Sequence, residues 1–295
     1  EAALPSLSEL GIGRTPLLRL TRWDGLSEQV RVYAKAEWLN PGGSVKDRPA
    51  ARMVLGALSS GKLRPGGTLL DSTSGNTGIA YAWLGARLGF KVRLAVPASI
   101  SPERRRVLTA LGARLDLTDP LEGSDGAIHR ARALLAEDPG AYFYPNQYDN
   151  PENWRSHYDT TAPEILEATG GDVTHFVAGL GTTGTFRGTA SRLKAELPRV
   201  RAVSVQPDSP FHGLEGLKHL GSAIVPGIHD AALADEDLAV ATEVAQAHAR
   251  ETAAREGLLI GPSGGANLAA ALRVARREAA AGRRALVVTV FPDSG

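Results

Sequence analysis

Residues 68–96 read Thr-Leu-Leu-Asp-Ser-Thr-Ser-Gly-Asn-Thr-Gly-Ile-Ala-Tyr-Ala-Trp-Leu-Gly-Ala-Arg-Leu-Gly-Phe-Lys-Val-Arg-Leu-Ala-Val. A short apolar strand at 68–71 runs straight into a polar, Gly-rich turn at 72–78. The pattern then becomes helical over 79–88, stops at Gly89, and returns to a strand at 91–96. Working outward, the unit repeats. A helix at 102–111, capped by Ser101 and stopped by Gly112, precedes a strand at 114–117 and a helix at 125–137. Upstream, strands at 17–20 and 30–35 are joined by a turn containing Gly25, and a helix follows Lys46 and closes at Ser59-Ser60-Gly61. Short apolar strands alternating with helices mean βαβ units and a mainly parallel sheet.

A second alternation begins after 142–147. The pattern predicts a helix at 162–169 with Pro163 in its first turn, a strand at 175–178, and a helix opening from the loop 179–185. It continues with a strand at 200–205, an irregular stretch at 207–227, one long helix at 236–256, the loop 258–265 with another helix, and a last strand at 285–290. The expected class is α/β with two domains, each holding a mainly parallel twisted sheet flanked by helices. The seam falls near residue 146.

Composition narrows the function. A chain of 295 residues with 43% hydrophobic content can bury a sizeable core. Thirty-three Lys plus Arg against 32 Asp plus Glu leaves a net charge of +1, so nothing electrostatic favours nucleic acid or an anionic membrane surface. Cysteine is absent, which removes disulfides, thiolate metal sites and a cysteine nucleophile. No apolar run approaches the roughly 18 residues of a membrane span. Glu1-Ala2-Ala3-Leu4-Pro5 lacks the basic flank and apolar core of a signal peptide, and a soluble, cytoplasmic protein is expected. With no initial Met and a stop at Gly295, one or both ends are expected to be trimmed.

Four loops carry candidate chemistry. In Asn40-Pro41-Gly42-Gly43-Ser44-Val45-Lys46-Asp47-Arg48, a lysine sits where a helix begins, at the end of the macrodipole that disfavours its charge. It is either a surface lysine with a snorkelling stem or an amine poised for Schiff-base chemistry. Gly181, Thr182, Thr183, Gly184 and Thr185 combine hydroxyls, mobile backbone and a helix N-terminus, a ready phosphate site. The same loop spells G-x-G-x-x-G, but the next strand ends Val205-Gln206-Pro207 without the acidic residue a dinucleotide ribose requires, so a nicotinamide dehydrogenase is the weaker reading. Thr73, Ser74, Gly75, Asn76, Thr77 and Gly78 form a helix cap or an anion cradle. Ser263, between Pro262 and Gly264, is a helix cap or a projected hydroxyl. Ligands in open α/β sheets bind beyond the carboxyl ends of strands, where 72–78, 179–185 and 261–265 are expected to lie. A lysine, a phosphate cradle, a hydroxyl and an amide loop are the parts needed to hold pyridoxal phosphate.

The segments 40–48, 73–78 (Thr-Ser-Gly-Asn-Thr-Gly) and 181–185 (Gly-Thr-Thr-Gly-Thr) together resemble the cysteine synthases of fold type II, the tryptophan synthase β-like pyridoxal-phosphate enzymes. The similarity runs over essentially the whole chain. Thr182-Thr183 and Pro-Glu-Arg-Arg-Arg at 102–106 look more like the B-type than the A-type enzymes. The resemblance implies that Lys46 binds the cofactor as an imine and carries the α-proton. It implies that Asn76 faces the ring's phenolic oxygen, that 181–185 hold the phosphate, and that Ser263 meets the pyridine nitrogen. Thr73, Ser74, Gly75, Asn76, Thr77 and Gln147 would bind the substrate carboxylate. The implied reaction is ping-pong β-replacement through an aminoacrylate, from O-acetylserine or O-phosphoserine and a sulfur donor to L-cysteine. A serine rather than a carboxylate at the pyridine nitrogen suits elimination over transamination.

The resemblance further implies a homodimer acting on small molecules. Residues 36–146 would form a smaller mobile domain carrying the carboxylate loop. Residues 1–35 plus 147–295 would form the larger phosphate-binding domain, with Lys46 at the cleft. Ala162 and Pro262 depart from the family pattern without removing a functional group. Lys218 is either a solvated loop lysine or a binder of an anionic leaving group or sulfur donor. A serine/threonine dehydratase or cystathionine β-synthase-like activity is the alternative on the same fold; a catalytically silent pyridoxal-binding regulator is the alternative from another function class.

Overall fold

The structure, a computed structural model, describes residues 3–73 and 75–295. It opens on β1 (Leu17–Leu20) and β2 (Val30–Ala36), paired antiparallel with Leu17 opposite Lys35. Then come α1 (Asp47–Ser59), β3 (Thr68–Ser72), α2 (Asn76–Leu88), β4 (Lys91–Pro97), α3 (Pro102–Ala110), β5 (Arg114–Thr118), α4 (Gly123–Glu137) and β6 (Tyr142–Phe143). Next, α5 (Pro151–Ser156) passes through a π-helical turn at His157–Thr161 into α6 (Ala162–Thr169). β7 (His175–Gly179), α7 (Gly184–Glu196), β8 (Arg201–Pro207), β9 (Glu236–Val240), α8 (Thr242–Glu256), α9 (Pro262–Ala280) and β10 (Ala285–Phe291) complete the chain.

These strands make two sheets. One has six strands in the order β1-β2-β10-β7-β8-β9, parallel except for β1; the other has four parallel strands in the order β5-β4-β3-β6. All seven residues of β10 are buried. Val287 packs into the core on one face of the larger sheet, with Val32 and Leu268. Val288 and Val290 pack into the core on the other, with Phe176 and Phe186. A central parallel strand covered by helices on both sides is expected to be apolar nearly throughout; the one polar residue of β10, Thr289, donates its hydroxyl to the Val177 carbonyl at 2.9 Å. The smaller sheet has its own core, in which Met53, Val54 and Ala57 of α1 meet Leu69, Leu84 and Leu94.

Three expectations need correction. The helix read over 236–256 begins at Thr242, because Glu236–Val240 pairs in parallel with β8. Leu238 and Val240 are buried while Asp237 and Ala239 are exposed, a period of two that the flanking helical pattern hides. Secondly, α2 begins at Asn76 rather than at 79. Thirdly, 261–265 does not follow a strand. Residues 258–261 are unpaired, Ser263 lies in the first turn of α9, and Gly261 N–H donates to the Asp293 carbonyl at 3.3 Å. The loop reaches a strand's carboxyl end from the side, next to that of β10. The cap read at Ser101 is present, its hydroxyl accepting from Arg104 N–H at 3.3 Å.

A buried ionic cluster anchors the start of α1. The Arg48 guanidinium donates to Glu37 at 2.7 and 2.8 Å and to Glu164 at 2.7 and 2.8 Å. Lys35 donates to Glu164 at 2.5 Å. Arg48, Glu37 and Lys35 are all at most 1% exposed, and the two cations balance the two anions. Burial pushes the Glu37 pKa up, but the charge and hydrogen bonds of Arg48, with help from Lys35, outweigh it and bring the value from 4.5 down to about 2. The cluster ties β2 and the turn after it to α1 and α6.

Candidate active site

Lys46 stands at the N-cap of α1. Its loop is pinned on both sides: Val45 N–H donates to the Pro292 carbonyl at 2.8 Å, Asn40 Oδ1 accepts from Gly13 N–H at 2.9 Å, and Asp47 Oδ2 accepts from Gly42 N–H at 2.5 Å. Lys46 Nζ has no hydrogen-bond or ion-pair partner among the described residues. Burial holds its pKa below the usual lysine value, opposed by the charge of Asp293. Burial is thus the chief cause of the depressed pKa, and the helix N-terminus acts in the same direction.

Lys46 opens into a cavity of about 280 Å³, a size suited to a cofactor-sized ligand. Thr73, Gly75, Asn76 and Thr77 line one side, and Gly181, Thr182, Thr183 and Thr185 line another. Gln147, Lys218 and Ser263 complete the set of residues singled out from the sequence. Gly184 is buried just behind the wall, and Ser74 lies outside the described residues. Loops spread along the chain from Lys46 to Ser263 therefore face one space.

Each wall has its own logic. Thr73 Oγ1 accepts from the N–H groups of Gly75 and Gly78, both at 3.3 Å, which ties the 73–75 turn to the first turn of α2. Thr77 Oγ1 donates to Gln147 Oε1 at 2.8 Å, and Gln147 Nε2 donates to the Ser72 carbonyl at 3.2 Å. These bonds hold the amide and hydroxyl side by side. At the opposite wall, Thr183 has φ +69, a backbone conformation costly for a β-branched residue, and no side-chain cap closes α7. Its buried Oγ1 has no hydrogen-bond partner among the described residues. Gly181 is required by close approach, since a Cβ there would lie 2.0 Å from the Gly216 carbonyl oxygen. An uncapped helix start, an orphaned hydroxyl and a strained turn together leave donors aimed at an anion. Lys218 Nζ sits 5.0 Å above the Tyr148 ring and 4.0 Å from Asp125, and burial lowers its pKa.

Sequence reasoning missed several residues of this site. Asn153 donates to Thr182 Oγ1 at 3.1 Å and to the Gln147 carbonyl at 2.6 Å, linking two walls. His157 Nε2 lies 3.3 Å from Thr185 Oγ1, and its Nδ1 lies 2.9 Å from Thr161 Oγ1. Burial, reinforced by the Arg48 charge, takes the His157 pKa down to about 3, so the ring is neutral. Arg104 pairs with Glu215 across the cavity. Asp293 accepts from Asn76 Nδ2 at 2.6 Å, and burial raises its pKa. Of these, Asp293 had a signal available, as the second residue after a buried parallel strand. Asn153, His157 and Arg104 lie on helices whose sequences carry none.

A family model described as "Pyridoxal-phosphate dependent enzyme" matches residues 8–293. The chain belongs to this family, and its α/β fold with parallel-rich sheets is the family's fold. It is 49% identical over 286 residues to a cysteine synthase of Aquifex aeolicus, covering 96% of this chain and 88% of that protein. It is 43% identical to an O-acetylserine dependent cystathionine beta-synthase of Bacillus subtilis, covering 99% and 94%. The crystal structure of a cysteine synthase from Entamoeba histolytica superposes with a TM-score of 0.90 at 34% identity, over 100% of this chain and 89% of that one.

Proposed function

We propose that this protein makes L-cysteine by β-replacement, from an activated serine and a sulfur donor, with pyridoxal phosphate as cofactor. The observation that carries this is the single cavity in which a half-buried, unpaired Lys46 amine faces both the uncapped start of α7 and the Thr77–Gln147 pair. The orphaned Thr183 hydroxyl and the N-terminal end of α7, where no side chain of the N-cap residue makes a cap hydrogen bond, fit a phosphate. Ser263, a neutral hydroxyl in the first turn of α9, fits an unprotonated pyridine nitrogen. Asn76, an amide lining the cavity, would face the ring oxygen. When bound, pyridoxal phosphate supplies an electron sink that labilises the α-proton of the amino acid attached to it.

The chain's own residues do the rest. Lys46 holds the cofactor covalently through Nζ and, once released, takes the α-proton on that nitrogen and later returns it. Its depressed pKa keeps the amine neutral enough to act as a base. Thr73, Ser74, Gly75, Asn76 and Thr77 with Gln147 bind the substrate's α-carboxylate, which orients the Cα–H bond toward Lys46. Lys218, a weakly paired cation at the same cavity, meets the anionic leaving group or sulfur donor. Residues 36–146, which hold the four-stranded sheet, move as the smaller domain and close over the substrate, excluding water from the reacting centre. The chain works in the cytoplasm as a homodimer. Among the described residues, no helix is long and apolar enough to cross a membrane.

The 43% identity to an O-acetylserine dependent cystathionine beta-synthase favours a second reading, in which a carbon-bearing thiol replaces sulfide as the sulfur donor. Purified protein loaded with pyridoxal phosphate should be yellow, lose its colour on borohydride treatment with the label on Lys46, and form cysteine from O-acetylserine and sulfide. A colourless protein, or label on another residue, refutes the cofactor assignment. Faster turnover with homocysteine than with sulfide selects the second reading.

A further inference from the structure

Asp293, just beyond β10, touches three of the four loops. Its backbone bridges Ser44 in antiparallel fashion, two residues before Lys46. Its carbonyl accepts from Gly261 N–H, two residues before Ser263. Its side chain reaches the third loop, where Oδ2 accepts from Asn76 Nδ2 at 2.6 Å. Oδ1 is buried without a hydrogen-bond partner among the described residues. It lies against Gly261, where a Cβ would stand 2.2 Å from it, so a side chain at 261 would displace the carboxylate.

An ionised carboxylate accepts hydrogen bonds and cannot donate them, whereas the two ends of a carboxamide differ in that respect alone. Facing Asp293, Asn76 has to present its nitrogen, and a 180° flip of the amide would set two acceptor oxygens against each other. One N–H is thereby used, and the other N–H and Oδ1 have assigned directions. Asn76 itself lines the cavity. We propose that Asp293 is a positioning residue that fixes the Asn76 amide, so that the cofactor's ring oxygen meets an N–H donor and never the carbonyl. This rests on the pyridoxal-phosphate reading of the cavity. Besides the Asn76 hydrogen bond, three charged groups act on Asp293 from neighbouring elements: Lys46 before α1, Arg104 on α3, and Glu215 after β8. The bond also joins the smaller sheet's first loop to the end of the larger sheet's central strand.

The test is spectroscopic. Apo-protein is reconstituted with pyridoxal phosphate, and the ratio of the yellow band to the near-ultraviolet band is measured for wild type, Asn76→Ala, Asp293→Ala, Asp293→Asn and the double alanine variant. A wild type that stays colourless ends the cofactor reading itself. With a yellow wild type, Asp293→Ala should lower the ratio roughly tenfold, the size expected for losing one charge-assisted hydrogen bond, and about as far as Asn76→Ala does. The double variant should fall no further, and Asp293→Asn, whose carboxamide can donate to a flipped Asn76 as readily as it accepts from the native one, should recover only part of the ratio. Additive effects in the double variant, or a wild-type ratio in Asp293→Ala, overturn the proposal. If circular dichroism shows Asp293→Ala unfolded, Gly261→Ala decides, since it leaves Asp293 in place and displaces its carboxylate. A wild-type spectrum in folded Gly261→Ala overturns the proposal equally.

Discussion

Replacing Arg48 by Met tests what holds Lys46 in place. Arg48 is two residues from Lys46, fully buried, and fixed between Glu37 and Glu164. Methionine keeps an unbranched apolar stem and removes the charge. The buried Glu37 and the partly exposed Glu164 then face Lys35 alone, and breaking a buried pair from one side costs about 3–5 kcal/mol. The Glu37 pKa gives a second route to the size. Its fall from 4.5 to about 2, at about 1.4 kcal/mol per pH unit, is worth roughly 3 kcal/mol. Because the folded-state value is depressed, that stability is present above pH 4.5 and lost as the pH falls through 2. Arg48 is the largest favourable cause of the depression, so the two figures describe much the same interaction. Urea unfolding followed by circular dichroism from pH 7 to pH 3 should show Arg48→Met about 3–5 kcal/mol less stable at pH 7. The contribution of Glu37 to the acid slope should also change sign. In the variant, burial pushes the Glu37 pKa above 4.5, and protonation on acidification then stabilises the fold. A loss below about 1 kcal/mol, or a wild-type acid slope, refutes the reasoning.

Lys46→Ala should keep the wild-type circular dichroism and melting transition while lowering β-replacement at least ~10³-fold, as expected for removing both nucleophile and base; substantial retained turnover would show the chemistry lies elsewhere. Gly181→Ala drives a Cβ into the Gly216 carbonyl, and should weaken pyridoxal phosphate binding about tenfold or more with a folding cost of ~1–3 kcal/mol, read by equilibrium dialysis and urea melts. His157 is held neutral, its pKa falling from 6.5 to about 3, so it adds stability above pH 6.5 that drains away as the pH drops toward 3; His157→Gln should flatten that part of the stability curve. Lys218→Ala should raise KM for O-phosphoserine more than for O-acetylserine, and equal, unchanged kinetics on both would remove Lys218 from the anion-binding role.

Much of the fold could be read from periodicity because most strands are short apolar runs bounded by Gly or polar turns. β9 could not, since Leu238 and Val240 supply just two inward positions between a polar stretch and a helix, too few for a period of two to stand out. The role of 261–265 was misplaced for a related reason. That loop reaches its strand end through a tertiary contact with Asp293, and no local pattern marks such a contact. Among the site residues, loops rich in Gly, Ser and Thr announce themselves by composition. Asn153, His157 and Arg104 do not, because an amide, an imidazole or a guanidinium on a helix looks the same whether it faces solvent or a cavity.

What the sequence determined by itself was the set of parts: βαβ order, an amine at a helix start, hydroxyl-rich turns, and the absence of any thiol. These follow from local rules, since backbone conformation, capping and side-chain chemistry depend on residues within a few positions. The tertiary structure decided their meeting. Packing the six-stranded sheet against helices on both faces puts the ends of β7 and β10 side by side. The Arg48 cluster locks Lys46 beside them, and the four-stranded sheet delivers Asn76 and Thr77 from across the cleft. The depressed pKa of Lys46, the orphaned Thr183 hydroxyl and the Asn76–Asp293 bond arise from burial and long-range contact, and no residue carries them alone.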